Sequence, residues 1–324
     1  MKRRIIAGAV FLALLAALVV RAGYVLPPER STFGGGWSMY LQERRDSIDV
    51  LFLGSSVAYC DVVPAELYAR TGLTSFVMAG PEQTFSITYD YLREALRTQS
   101  PSAVFLEVSA VAFGRYMGFT KANISPMPWS AARIDATLRG AERSEWAGLF
   151  FPLYNYHDRF GDPLVLFRPR ADAIPDPLAG FTAMTGADPQ ETRGERACDT
   201  SEDDLERNCA DLGRIRDLCA QRGIKLVLFQ APSCGYLPEE YLDRVRAAVP
   251  DVELIDFNED FEATGLDMQS DFYDYLHTNV AGARKFTGFL AERLSGELPA
   301  GRSVYDAELW ASRVAEIEKL SPQS

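Results

Sequence analysis

Two short stretches bring together side chains that can do chemistry. "VLFLGSSVAYC", residues 50–60, carries an apolar run into Gly54-Ser55-Ser56. "DFYDYLHTN", residues 271–279, places Asp274 three residues before His277. If that stretch makes one helical turn, the two side chains fall on the same side and can meet. A carboxylate that orients an imidazole fixes its tautomer and stabilises the imidazolium, which is the base a serine nucleophile needs. Ser56, His277 and Asp274 are therefore a candidate nucleophile, general acid–base and orienter. An ester or thioester carbonyl is the electrophile such a set attacks. Asp271 lies three residues before Asp274 and is an alternative orienter. The same residues also have plain readings: Ser56 as a turn residue or helix N-cap, and His277 as a residue ahead of a helix.

Other chemistries are excluded by what the chain lacks. It has no G-x-x-x-x-G-K-[ST] and no G-x-G-x-x-G after its first strand, so the phosphate-cradling and dinucleotide fingerprints are missing. It has no G-x-S-x-G elbow of the α/β-hydrolase type. Only two histidines occur, His157 and His277, too few for a multi-histidine metal site. Five cysteines contain no C-x-x-C. Cys198 and Cys209 flank an acidic stretch; they can pair in an oxidising compartment or stay free. Cys60 follows Ser56 by four residues but has no second histidine predicted near it. No cofactor or metal is expected. A net charge of -12, from 33 basic and 45 acidic residues, disfavours nucleic acid as a partner.

These residues need a frame, and the pattern supplies one. Ile48–Leu53, Leu73–Met78, Val104–Val108, Ile224–Phe229 and Val252–Phe257 read as buried strands. Helical segments alternate with them: Pro64–Arg70 with Gly72 as its stop, Thr84–Arg97, Ser201–Arg222 with Gly223 as its stop, Pro238–Val249, Asn279–Leu294 and Tyr305–Leu320. Alternation of this kind predicts an α/β fold, a doubly wound three-layer α/β/α sandwich around a parallel sheet of about five strands. Ligands of such sheets bind beyond the carboxyl ends of the strands, and Gly54-Ser55-Ser56 falls at one. An aromatic- and proline-rich insertion occupies 110–197. Its Trp129, Trp146, Phe150, Phe151, Tyr154 and Tyr156 suit core packing better than sugar stacking, and His157 suits a structural contact.

The expected organisation is a membrane segment at 1–22, a linker at 23–47, the α/β domain at 48–300 and a C-terminal helix at 301–324. Lys2, Arg3 and Arg4 precede the charge-free run Ile5–Val20. A basic flank before an apolar run is an export signal with its basic end kept inside. An uncleaved single-pass anchor fits better than a cleaved signal. It implies a cytoplasmic N-terminus and an extracytoplasmic domain at the cell membrane.

Taken in order, these motifs resemble the SGNH/GDSL hydrolase superfamily. Gly54-Ser55-Ser56 matches the first block, Gly80 in "VMAGPEQTF" the second, and Asp274-Tyr275-Leu276-His277 the D-x-x-H last block. The resemblance spans residues 48–295. "LGSSVAYCDVVPAELYARTG" is similar to a membrane-anchored bacterial branch near the D-alanyl transfer proteins of teichoic-acid modification and the exopolysaccharide O-acetyltransferases. The resemblance implies a flavodoxin-like fold and an esterase or O-acyltransferase working through an acyl-enzyme. Acylated envelope glycan or an acyl donor would be the substrate, and a membrane-bound O-acyltransferase a possible partner. It makes Ser56 the nucleophile, His277 the acid–base and Asp274 its orienter, with the N–H groups of Ser56 and Gly80 as oxyanion donors. The chain departs from the family at the third block. That block usually ends in G-x-N-D, whose asparagine donates to the oxyanion. Here strand three ends "VFLEVSA", leaving Ser109 as the nearby neutral donor beside Glu107. A catalytically degenerate envelope protein that binds glycan is the alternative reading.

Overall fold

The computed structural model describes residues 2–25, 36–151, 154, 174–293 and 306–320. Among them the strands are β1 (Val50–Gly54), β2 (Ser75–Ala79), β3 (Ala103–Glu107), β4 (Gly194–Glu195), β5 (Lys225–Gln230), β6 (Gly235–Tyr236) and β7 (Glu253–Asp256). The helices are α1 (Lys2–Val25), α2 (Trp37–Tyr40), α3 (Ser56–Asp61), α4 (Pro64–Thr71), α5 (Phe85–Ala95), α6 (Thr120–Ile124), α7 (Ala131–Gly140), α8 (Trp146–Phe150), α9 (Glu202–Arg222), α10 (Glu239–Ala248), α11 (Val280–Arg293) and α12 (Ala307–Leu320).

Five strands form one parallel sheet in the order β2-β1-β3-β5-β7. Counting only these strands, the order is 2-1-3-4-5, the flavodoxin-like doubly wound arrangement with its switch point at the first strand. β1, β2 and β3 are buried along their whole length. That burial explains why they read as continuous apolar runs rather than as alternating ones. Leu51, Leu53, Phe76, Met78, Val104, Leu106 and Leu228 point to one face, where α5, α9 and α10 cover them. Val50, Phe52, Val77, Phe105, Val227 and Phe229 point to the other, beneath α3, α4 and α11. The three-layer sandwich expected from the alternation is therefore present.

Three parts differ from the expected layout. Within the expected linker, residues 36–47 pack against the domain: Trp37 and Tyr40 are fully buried, and Tyr40 meets Phe76 edge-on at 5.0 Å. The insertion does more than cover the end of the sheet. Its segment at 176–181 lies along the outer side of edge strand β2, where the Val77 N–H donates to the Ala179 carbonyl at 2.9 Å. That contact blunts an edge otherwise open to strand addition. The insertion also contributes β4, which pairs with β6 in a small parallel ribbon that the sequence did not announce.

The insertion's aromatics divide. Trp146 and Phe150 are half-buried, whereas Trp129, Phe151 and Tyr154 are exposed, against the expectation of core packing. Arg133 lies over the Trp129 ring at 4.2 Å. Smaller residues, among them Ile124, Met127, Ala136 and Leu149, fill the insertion's core instead. Tyr156 and His157 lie outside the described residues.

α1 contains a stretch, Lys2–Ala22, long and apolar enough to cross a membrane, and its apolar side chains from Ile5 to Val20 are exposed. This is compatible with a single-pass anchor.

Candidate active site

The site starts from a glycine. Gly54 ends β1 with φ +146°, a conformation that L side chains rarely adopt. A Cβ there would come within 2.8 Å of Glu107 Cβ and 3.0 Å of Ala58 Cβ. Only glycine therefore lets β1 turn so closely against β3 and enter α3. Ser55 is the extended N-cap residue, and Ser56 is the first residue of α3. Between Ser47 and Leu67, every residue but Ser56 is buried. The strand delivers one hydroxyl to the surface, at the carboxyl end of the sheet.

His277 reaches that hydroxyl. Its Nε2 lies 2.8 Å from Ser56 Oγ, across 221 residues of sequence. Its Nδ1 lies 2.9 Å from both carboxylate oxygens of Asp274. Ser56, His277 and Asp274 thus form a hydrogen-bonded line in which each member has the partner its expected role requires.

The turn that makes this line is not helical. Asp274 Oδ1 accepts from the N–H groups of Leu276 and His277, at 2.8 and 2.9 Å. The aspartate side chain itself closes the turn that brings the imidazole back to it. The alternative orienter, Asp271, is engaged elsewhere: its Oδ2 accepts from Lys285 Nζ at 2.6 Å and from Asp267 N–H at 2.7 Å. Asn279, two residues past His277, accepts from Ala281 and Gly282 N–H at the start of α11.

Electrostatics favour a charged base–orienter pair. Burial pulls His277 down, but the Asp274 hydrogen bond and the charges of Asp61, Asp274 and Glu107 outweigh it and hold the imidazole above its ordinary value. Burial pushes Asp274 up, yet its bonds to His277 and Leu276 and the His277 charge bring it below the usual carboxylate range.

The oxyanion region is less simply built. Gly80 follows β2 directly, and the amide of Asn123, from α6, fills the space beside its α-carbon. Asn123 is buried and its Nδ2 donates to the Pro81 carbonyl at 2.9 Å. Ser109 does not face the site with a spare donor. Its N–H and Oγ–H both go to Glu107 Oε1, at 3.0 and 2.7 Å. Glu107 is fully buried at the end of β3, and its Oε2 has no hydrogen-bond partner among the described residues. Burial, only partly offset by Ser109, Arg196 and His277, pushes its carboxyl up to about 7.

Two residues of this region escape the sequence. Asp61, the last residue of α3, is fully buried, and its Oδ1 accepts both the N–H and the hydroxyl of Thr278 at 2.9 and 2.8 Å. Asn123 belongs to the insertion and meets Gly80 only through tertiary packing. Neither carries a local signal. Cys60 is buried, and burial pushes its thiol far up, so it is held as an uncharged core residue. Cys198 and Cys209 are free thiols.

No protein-family profile matches the chain. No curated protein sequence matches it. Solved structures do: one, from Bacteroides fragilis and described as a candidate acylhydrolase, is 10% identical. Its alignment covers 86% of this chain and 95% of that one, with a TM-score of 0.37.

Proposed function

We propose that this chain is a membrane-tethered, extracytoplasmic serine esterase or O-acyltransferase of the SGNH type. The hydrogen-bonded line from Asp274 through His277 to Ser56 carries the reading. Ser56 Oγ attacks the carbonyl carbon of an acyl ester while His277 Nε2 takes its proton. The tetrahedral oxyanion lies against the N–H groups of Ser56 and Gly80. Loss of one such donor typically costs about 2.7–4 kcal/mol of barrier. Collapse breaks the C–O bond, and the protonated His277 returns the proton to the leaving alcohol. The same imidazole then activates water or a sugar hydroxyl to release the acyl group from Ser56. The substrate class, acylated glycan of the cell envelope, rests on the motif resemblance alone. The exposed apolar α1 supports the tether.

A second reading is favoured by one observation. Glu107 ends β3 where the resembled family places its asparagine donor, and it occupies both donors of Ser109. A protein that has lost hydrolysis and binds glycan or a membrane acyltransferase would carry such a change. Reaction with a fluorophosphonate probe separates the two. The esterase reading expects labelling of the wild-type chain and none of Ser56→Ala. Labelling that survives Ser56→Ala would sink the assignment.

A further inference from the structure

The helix that presents the nucleophile also grips the base. α3 begins at Ser56 and ends at Asp61, about 7.5 Å further along its axis. Asp61 Oδ1 takes both donors of Thr278, the residue that follows His277. Apart from the contact between Ser56 and His277 themselves, no other hydrogen bond among the described residues joins α3 to the 274–278 turn. The other anchors of this segment run elsewhere. Gly235 N–H donates to the Tyr275 carbonyl, and Val280 N–H to the Met184 carbonyl. Asn279 Nδ2 donates to Gly186 and Ser270 carbonyls. Asp61 is itself held. Its carbonyl accepts from Thr287 Oγ1 of α11, which in turn accepts from Val63 N–H.

We propose that Asp61 is a positioning residue, a clasp that sets the imidazole of His277 at hydrogen-bonding distance from the serine on its own helix. The proposal rests on the esterase reading for its purpose, though not for its geometry. A displacement of about 1 Å at a reacting group can cost on the order of 10²-fold in rate. A clasp on the residue next to the base, closed onto the nucleophile's own helix, removes that freedom. Three carboxyls then act on His277 by their charge: Asp274 from its own turn, Asp61 from α3 and Glu107 from β3, while the Arg196 charge acts on Glu107. Asp61 keeps one oxygen, Oδ2, buried and without a partner among the described residues. An amide at this position preserves the clasping oxygen and removes the charge.

The test follows the imidazole directly. The chain has two histidines, so a His157→Gln background leaves the His277 ring as the one imidazole signal in a nitrogen-15 histidine spectrum of the full chain in detergent. In that background Ser56→Ala shifts the His277 Nε2 resonance, because it removes the hydrogen bond. With Asp61→Ala added, Ser56→Ala no longer moves it. Asp61→Asn restores the response to Ser56→Ala and lowers the pH at which the ring titrates. Fluorophosphonate labelling slows on the order of 10²-fold in Asp61→Ala and recovers most of that loss in Asp61→Asn. If Ser56→Ala shifts the ring equally with and without Asp61→Ala, the clasp is refuted. It is equally refuted if Asp61→Asn, which keeps the shape of the site, behaves as Asp61→Ala does. Wild-type chain that shows the spectral coupling but takes no probe refutes the esterase reading and leaves the clasp standing.

Discussion

Beside Asp274, two further carboxyls, Asp61 and Glu107, act on His277 through their charge, and those two give the site a pH signature. Burial pushes Asp61 up to about 7, against which the His277 charge and the Thr278 bonds only partly act. Glu107 is pushed to about 7 for the same reason. A carboxyl whose folded value is raised binds its proton more tightly in the folded chain. Its contribution to stability is full below the ordinary carboxylate range and is lost as pH rises through about 7. His277, also raised, acts with the same sign: what it contributes is present below the ordinary imidazole value and lost above its folded one. Thermal melting should therefore occur at progressively lower temperature as pH is raised from 5 to 8. Asp61→Asn and Glu107→Gln should each flatten that slope. A melting temperature independent of pH over this range in the wild-type chain would contradict the raised values.

At the scale of elements, the entry to α3 is a tightly constrained joint. Gly54→Ala would press a methyl against Glu107 Cβ and Ala58 Cβ and hold a non-glycine residue at φ +146°. Overpacking costs about 1–3 kcal/mol, and the backbone adds about 1–3 kcal/mol. Urea or thermal unfolding should register a loss of that combined order, with fluorophosphonate labelling falling alongside it. The sequence exposed much of this level. β1 stood out because it is buried on both faces, and the α/β/α order followed from strands alternating with helices that end at Gly72 and Gly223. Ser56 and the Asp274/His277 pair were legible because strand end and i, i+3 spacing are local properties. The form of the turn was not: Asp274 closes it with its side chain, where spacing alone had suggested a helical turn. Asp61 and Thr278 were invisible, because their bond joins residues 217 apart and depends on α11 packing against α3. The 176–181 segment was equally hidden. A loop that seals the side of β2 looks in sequence like any other irregular stretch, although Gly180 leaves no room for a side chain beside the Val77 carbonyl.

At the scale of the molecule, a buried ion pair ties α12 to the segment that follows α2. Arg313 of α12 pairs with Glu43, just after α2, and its Nε donates to the Asp176 carbonyl at 2.9 Å. Both side chains are almost wholly shielded from solvent. Trp310, a turn earlier, stacks on Tyr68 of α4 at 5.0 Å. Removing one member of such a pair strands the other, at about 3–5 kcal/mol. Glu43→Ala should therefore lower the melting temperature markedly, whereas replacing both residues with apolar ones of similar volume should cost much less. The comparison of single and double variants by calorimetry checks this, and equal losses would argue against a buried pair. The same pair also imposes an order in time. Glu43 leaves the ribosome 270 residues ahead of its partner, a wait of roughly 14–54 s at common synthesis rates. Through that interval the first-made part of the domain lacks the helix that neutralises it and covers Tyr68. α12 is thus a late stitch in this seam of the fold, and a chain cut short before α12 would be left with an open seam that a protease could read as unfinished.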